Sequence, residues 1–425
     1  MKRDRNTGKI RAEAFDILQY FYKTVHDPII RCVVSFSGHI DGAALKKAVT
    51  VSSNAIPQVR CCFDLSARRP YWRDTEFTGD DIVSIVESAY GEKRLDSLLA
   101  SSIDIEHEPQ LKIYVLRETG ADTLCILINH MVCDGAGFKE YLYMLAGLYT
   151  DCLAGKNVRV PDYYGRGFWP LFNRLTPMEK AKTLFNSYDL ARQKQYVHLP
   201  LEGDNENPFL VVRRISRENM LLVKTYAKDK GATLNDMFLT AYIRLLGRKT
   251  GEGRIILPCP VDLRKYVPPG WKHGICNLTS NLICDVSLVP EGSFEDTLKK
   301  VSGQMREQKN GYSCLKPLIN MELVFSLLPF KVLQKNFSRI FKIPVVSYSN
   351  LGIVDQDSFC FGDASIRDAY LTAAVKRTPY FQVSVSTFDG GCTFSCNFHG
   401  TANDKAWIRD FLLELETEML EQVKS

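Results

Sequence analysis

Asn129-His130-Met131-Val132-Cys133-Asp134-Gly135 follows directly on an apolar run, Leu124-Cys125-Ile126-Leu127-Ile128, and opens a periodic segment from Phe138 to Tyr149. A run apolar on both faces predicts a buried strand, and Phe138, Tyr141, Leu142 and Leu145 share one helical face. His130 is therefore expected where a strand ends, with Asp134 and Gly135 forming the turn into a helix. An imidazole in that place can be held rigidly by the strand while facing a cleft. Its reference pKa, about 6.5, leaves it largely neutral and basic at cellular pH. Asp134, four residues on, is placed to brace the loop or to accept backbone N–H bonds at the helix start. Read alone, a histidine at a strand end is more often a satisfied structural residue than a catalyst, so the rest of the chain has to supply the context.

Towards the N-terminus, residues 30–37 are β-branched and partly alternating, which predicts a strand, and Asp41 then punctuates the entry to a helix bearing Leu45, Ala48 and Val49 on one face. Ile56 to Phe63 reads as another strand after a proline break, and Leu111 to Leu116 as a core strand after an acidic turn. His107, in that turn, reads as a solvated loop residue. From Gly155 to about Pro208, prolines and glycines interrupt any long period, with one helix expected around residues 178–195. Beyond it a strand runs from Phe209 to Ile215. Ser216 caps a helix that ends at Gly231, and Thr233 starts another with Leu234, Phe238, Tyr242 and Leu245 on its buried face. Ile255 to Arg264 reads as a strand ending in charge, Ser293 as the cap of a helix to about Gln308, and Ile343 to Tyr348 as a strand running into Ser349-Asn350-Leu351-Gly352. Gln382–Phe388, Asp389-Gly390-Gly391 and Cys392–Phe398 make a β-hairpin signal. A last helix carries Trp407, Phe411, Leu415 and Leu420. Strands interleaved with helices predict an α/β fold of two sandwich lobes: residues 1–160 with the His130 stretch, a crossover at 161–208, and a second lobe at 209–425.

Composition narrows the function. The 425 residues are 45% hydrophobic with a net charge of +5, enough to fill two cores. The charges are mixed, with no Lys/Arg block long enough to suggest nucleic acid as a partner. The charged start, Met1 to Asn6, is not followed by an apolar signal segment, and no window reaches the ~18 apolar residues of a membrane span. The expectation is a cytoplasmic protein with no membrane span. The 13 cysteines are scattered, without the paired spacing of a zinc site, so no metal is expected and the thiols read as small core hydrophobes. Cys133 reads the same way: it packs under the loop rather than acting as a nucleophile.

His-x-x-x-Asp-Gly after an apolar strand resembles the signature of the chloramphenicol acetyltransferase-like superfamily, which includes peptide condensation domains, alcohol acetyltransferases and polyketide-associated acyltransferases. The motif stands intact as His130, Asp134 and Gly135, while Asn129 departs from the double histidine common in condensation domains. Gly231-Ala232-Thr233-Leu234-Asn235-Asp236, Pro260-Val261-Asp262-Leu263-Arg264 and Ser349-Asn350-Leu351-Gly352 are similar to further family segments in the same order. The Asp-Phe-Gly-Trp-Gly motif of the plant branch is missing. The resemblance covers roughly residues 14–423.

The resemblance implies two chloramphenicol acetyltransferase-like lobes with an active-site tunnel between them and His130 at its middle. It implies transfer of an acyl group from a coenzyme A or phosphopantetheinyl carrier-protein thioester to the hydroxyl or amine of a small acceptor, with His130 as general base. An acyl or peptidyl carrier protein is then a candidate partner, and no tightly bound cofactor is implied. The developing oxyanion needs donors, for which the Gly135 backbone N–H, Ser349 and Asn350 are candidates. Asp134 is expected to form a buried ion pair with Arg264. Two other readings stand beside this one: a stand-alone condensation-type enzyme, and a catalytically silent binding module with the same fold.

Overall fold

The computed structural model of the chain describes residues 8–88, 91–162, 164–185, 197–289, 291–340 and 343–424. A five-stranded sheet runs in the order β12 (Ile366–Thr372), β2 (Ile29–Phe36), β7 (Ala121–Asn129), β6 (Leu111–Glu118) and β5 (Val83–Glu87). β7 is the middle strand, antiparallel to both neighbours. Successive side chains of a strand point to opposite faces. Leu124, Ile126 and Ile128 therefore enter the main core, while Cys125 and Leu127 enter a second cluster with Ile29 and Val33. Burial on both faces is why this run is apolar without a break.

Helices α2 (Gly42–Ala55) and α5 (Gly135–Leu153) pack together on the main-core face, where the Tyr141 and Ser52 hydroxyls meet at 3.0 Å. The short α3 (Gly79–Ile82) leads into β5, and α4 (Gly91–Leu99) sends Leu98 and Leu99 into the second cluster. A small sheet of β1 (Lys9–Arg11), β4 (Tyr71–Asp74) and β3 (Cys61–Asp64) meets α1 (Ala14–Phe21), where the Trp72 indole N–H donates to Asp16 at 2.8 Å.

The later part of the chain forms a four-stranded sheet, β11 (Val346–Ile353), β13 (Phe381–Phe388), β14 (Gly391–His399) and β8 (Pro208–Ile215), and an antiparallel ribbon of β9 (Arg254–Asp262) and β10 (Thr279–Ser287). Helices α7 (Arg217–Asp229), α8 (Leu234–Thr250), α9 (Phe294–Lys309) and α12 (Ala402–Lys424) accompany them. Phe411 of α12 meets Tyr242 of α8 and Phe381 of β13 edge-on. The hairpin turn between β13 and β14 places Asp389 and Gly390 at φ of 44° and 74°, the two-residue geometry that suits strand twist.

The two lobes are interleaved. β12 comes late in the chain but pairs with β2, so a strand of residues 209–425 completes the sheet of the first lobe. Lys376, just beyond it, bridges to His26 on one side and Phe398 on the other. The boundaries 1–160, 161–208 and 209–425 follow chain order, and one strand from residues 209–425, β12, lies in the sheet that carries β7.

Other expectations are corrected locally. Pro57 to Arg60 is a 3-10 turn, and the strand starts only at Cys61, because proline has no N–H to give to a ladder. β9 ends at Asp262, which caps a 3-10 turn holding Arg264. β11 starts at Val346, not Ile343, and continues through Ser349 to Ile353 with an irregularity between Asn350 and Gly352. Residues Leu323 to Leu333 span the junction of α10 (Lys316–Leu327) and α11 (Phe330–Ile340). Phe330 and Phe337 of α11 pack on Phe21 of α1 at 5.3 and 5.0 Å. The helix expected over 178–195 is α6 (Pro177–Phe185) as far as described; residues 186–196 lie outside the described residues.

Candidate active site

β7 delivers His130 one residue past its last paired position, Asn129 opposite Ile29, and the His130 N–H still donates to the Pro28 carbonyl at 2.6 Å. The buried Asn129 side chain faces away from the cleft. Its amide donates to Gln110 at 2.8 Å and its oxygen accepts the Met131 N–H at 2.9 Å. It shapes the turn.

Three residues from distant parts of the chain, Arg166, its partner Asp16, and Asn277, hold that turn. The buried Arg166 guanidinium donates to the Met131 and Val132 carbonyls at 3.1 and 2.6 Å and pairs with Asp16 at 2.9 Å. Asn277 donates its amide to the His130 carbonyl at 2.8 Å. Because that nitrogen is the donor, Asn277 Oδ1 is the acceptor for His130 Nδ1, 3.1 Å away. The ring therefore carries its proton on Nδ1 and keeps Nε2 as the basic nitrogen. Burial pushes the His130 pKa below the ordinary 6.5, against the opposing pull of a backbone hydrogen bond, the Asp134 charge and Asn277.

Asp134 is the N-cap of α5: Oδ1 accepts the Gly137 N–H at 2.8 Å, and Oδ2 accepts the Leu278 N–H at 2.7 Å. Arg264 Nη1 lies 3.1 Å from the same carboxylate, and Nη2 donates to the Cys276 carbonyl at 2.9 Å. The Arg264 guanidinium also stands 3.1 Å from both Glu140 and Asp262. All three carboxylates hold it protonated against burial. A Cβ on Gly137 would come within 2.8 Å of the Cys276 carbonyl, and one on Gly135 within 2.8 Å of Leu351 Cδ2, so the two glycines let the second lobe close onto the helix start.

Between the lobes lies a cavity of about 550 Å³, lined by His130, Gly135 and Lys139 from one side and by Pro260, Ser349 and Met321 from the other. The sequence-derived residues thus fall into two groups. His130, Asp134, Gly135, Ser349 and Asn350 all line the cavity, whereas Arg264 sits behind Asp134. Asn350 is engaged at both ends of its amide: it donates to Asn235 at 2.9 Å and accepts the Gly352 N–H at 2.8 Å. One of its two amide N–H donors braces β11 through Asn235, so Asn350 stays beside Gly135 and Ser349 among the candidate donors at the cavity. Cys133 is fully buried and its thiol pKa is pushed well up by that burial. His107 is exposed and bonded to Asp104.

The sequence reading missed Asn277, Arg166 and Asp16. Asn277 lies in an irregular link 147 residues from His130, with no local signal. Asp16 had one: a carboxylate on the otherwise apolar face of α1 demands a buried cation. Among the described residues no group of three or more His, Cys, Asp or Glu could hold a metal ion, and no helix is long and apolar enough to cross a membrane.

No family model matches the chain. Among curated proteins it is similar to chondramide synthase cmdD of Chondromyces crocatus, 24% identical over 295 residues that make up 65% of this chain and 7% of the synthase. The chain spans a small fraction of the curated relatives it matches first, 7%, 11% and 3% of their lengths. Among solved structures it resembles the TRI3 trichothecene 15-O-acetyltransferase of Fusarium sporotrichioides, with a TM-score of 0.73 at 11% identity over 97% of this chain and 95% of that one. It also resembles the first condensation domain of the calcium-dependent antibiotic synthetase, with a TM-score of 0.67 at 13% identity over 97% and 96% of the two chains. The chain therefore shares the two-lobed α/β fold of these condensation domains and acyltransferases.

Proposed function

We propose that the protein is an acyltransferase that moves an acyl group from a coenzyme A or carrier-protein thioester to the hydroxyl or amine of an acceptor. The observation that carries this reading is the His130–Asn277 pair: Nδ1 is tied up at 3.1 Å, so Nε2 is the basic atom available to the cavity between the lobes. In the reaction, Nε2 takes the acceptor proton as the acceptor oxygen or nitrogen attacks the thioester carbon. The carbon–sulfur bond then breaks, and the imidazolium returns the proton to the leaving thiolate. General base catalysis of this kind contributes about 10²–10⁴-fold, and alignment of both reactants in the cavity adds to it. The Gly135 N–H, at the positive end of α5, the Ser349 hydroxyl and the Asn350 amide are the candidate donors for the tetrahedral oxyanion. No acyl-enzyme is needed, which leaves the buried Cys133 without a chemical task.

A second reading, condensation of carrier-bound substrates, is favoured by the condensation domains among the similar solved structures. Mass spectrometry of a panel of acyl-coenzyme A donors against mixed alcohols and amines, with His130→Ala as control, tests the first reading. Products formed only from carrier-bound donors favour the second. Saturable ligand binding without any product favours a silent binding module.

A further inference from the structure

The cavity has a second polar feature that general base catalysis does not use. Lys376 lines it and is only 8% exposed, and its Nζ donates to His26 Nδ1 at 3.0 Å. Its backbone is pinned to β14, the N–H donating to the Asn397 carbonyl at 2.9 Å and the carbonyl accepting the His399 N–H at 2.8 Å. The ammonium is thus held in a fixed place.

Its charge is left uncompensated. His26 is buried, and burial, Lys376 and the neighbouring His130 and Arg377 keep it neutral, so it accepts a hydrogen bond but brings no negative charge. The carboxylate that Lys376 feels, Asp27, is committed elsewhere: one oxygen pairs with the buried Arg31 guanidinium and the other accepts the Val375 N–H at 2.7 Å. The Cys396 thiol is buried and its pKa pushed up, so it is neutral too. Among the described residues, no carboxylate lies within ion-pair distance of Nζ. Lys376, Arg31 and Asp27 together leave one positive charge at the cavity wall. Burying an unpaired ammonium is costly, and a ligand anion would relieve that cost. The other lysine of the lining, Lys139, donates to the Ile353 carbonyl at 3.2 Å, so Lys376 acts as one point charge with no arginine fork beside it, which matches a monoanion rather than a phosphate dianion.

We infer that Lys376, oriented by His26, is the recognition point for a carboxylate carried by the acceptor substrate. The inference rests on the acyl-transfer reading only for the word acceptor; the anion site stands on its own geometry. It narrows the substrate class to hydroxy or amino acids whose reactive group reaches His130 while the carboxylate meets Lys376. Burial pulls the Lys376 pKa down to about 8, so a bound carboxylate draws a proton onto it in mildly alkaline solution.

Calorimetric binding to the full chain tests this, with 3-hydroxybutyrate, 3-hydroxydecanoate and 12-hydroxydodecanoate each set beside its methyl ester. The expected result is that at least one acid binds about tenfold or more tightly than its ester, with proton uptake at pH 8.5. Lys376→Met should erase that preference and the proton uptake, Lys376→Arg should keep much of the preference, and coenzyme A affinity should stay unchanged in both. Lys376→Gln repeats the test should the methionine variant not fold. No preference for any acid in the wild type, or a preference that survives in Lys376→Met, overturns the inference. So does a loss confined to coenzyme A binding, which would assign the charge to the donor. His130→Ala should lose turnover and keep the carboxylate preference. A wild type that prefers carboxylates but transfers no acyl group overturns the acyltransferase reading and leaves the anion site standing.

Discussion

Arg264 Nη1 stands 3.1 Å from the carboxylate of Asp134, a residue 130 positions away in the chain, and both side chains are nearly buried. The pair joins the start of α5 to the turn after β9. The histidine-bearing turn and the second lobe therefore share one electrostatic joint.

Removing either partner strands a charge, at a cost of about 3–5 kcal/mol. The two losses should be unequal. Without Arg264, Asp134 still accepts two backbone N–H bonds but has no counter-charge; without Asp134, Arg264 still has Glu140 and Asp262. Arg264→Ala is expected at the upper end of that range and Asp134→Ala at the lower. The double variant should lose clearly less than the sum. Denaturant unfolding of the four proteins measures this; simple additivity would mean that the pair is not coupled.

His130→Ala is expected to cut turnover by at least ~10²-fold with little change in melting temperature. The acid limb of the kcat profile should lie below pH 6.5, since burial lowers the His130 pKa and the neutral ring is the base. Asn277 raises that pKa and Lys376 lowers it. Asn277→Ala should thus move the limb to lower pH and Lys376→Met to higher pH. Shifts in the opposite sense would remove His130 as the titrating group.

Stability should fall on mild acidification. His26, His130 and His399 all have folded pKa values lowered from 6.5, each chiefly by burial. Between those values and 6.5 the unfolded chain binds more protons. The stabilisation is therefore complete above about pH 6.5 and lost as pH falls through the folded values. Melting temperature followed from pH 7.5 to 5 should drop, and less steeply in His26→Gln, which keeps an acceptor for Lys376. A flat profile would contradict the buried neutral histidines.

Lys376→Met is expected to raise stability at pH 7, because it deletes a buried ammonium without a carboxylate partner. With the folded pKa near 8 and the ordinary value at 10.5, the unfolded lysine binds the extra proton between them. The penalty is complete below about pH 8 and fades towards 10.5, so the advantage of the variant should shrink at alkaline pH. Thermal unfolding at pH 7 and 10 measures both.

Thiol labelling of the native protein should stop at one site. All 13 cysteines are free, but only Cys360 is exposed. Iodoacetamide should modify Cys360 alone, identified by peptide mass, with turnover unchanged. Rapid native labelling of Cys133 would refute its place under the turn.

What the sequence determined by itself was local. The unbroken apolar run of β7, the cap at Asp134, the periodic face of α5 and the two-residue turn at Asp389 and Gly390 each follow from near-neighbour preferences, and each is found where those preferences put it. The strand boundaries at Cys61 and Ile353 were less legible, since proline and a single register irregularity decide them. Only the tertiary structure decided what surrounds the histidine. Asn277, Arg166 and Asp16 come from distant links and helices, and their bonds to the turn depend on how the lobes close, which no periodicity encodes. The same holds for β12 crossing into the first sheet and for Lys376, which reads in sequence as an ordinary lysine after apolar residues. Its burial beside a neutral His26 exists only because two sheets meet there. A charge acquires its cost, and so its use, from what the rest of the chain packs around it.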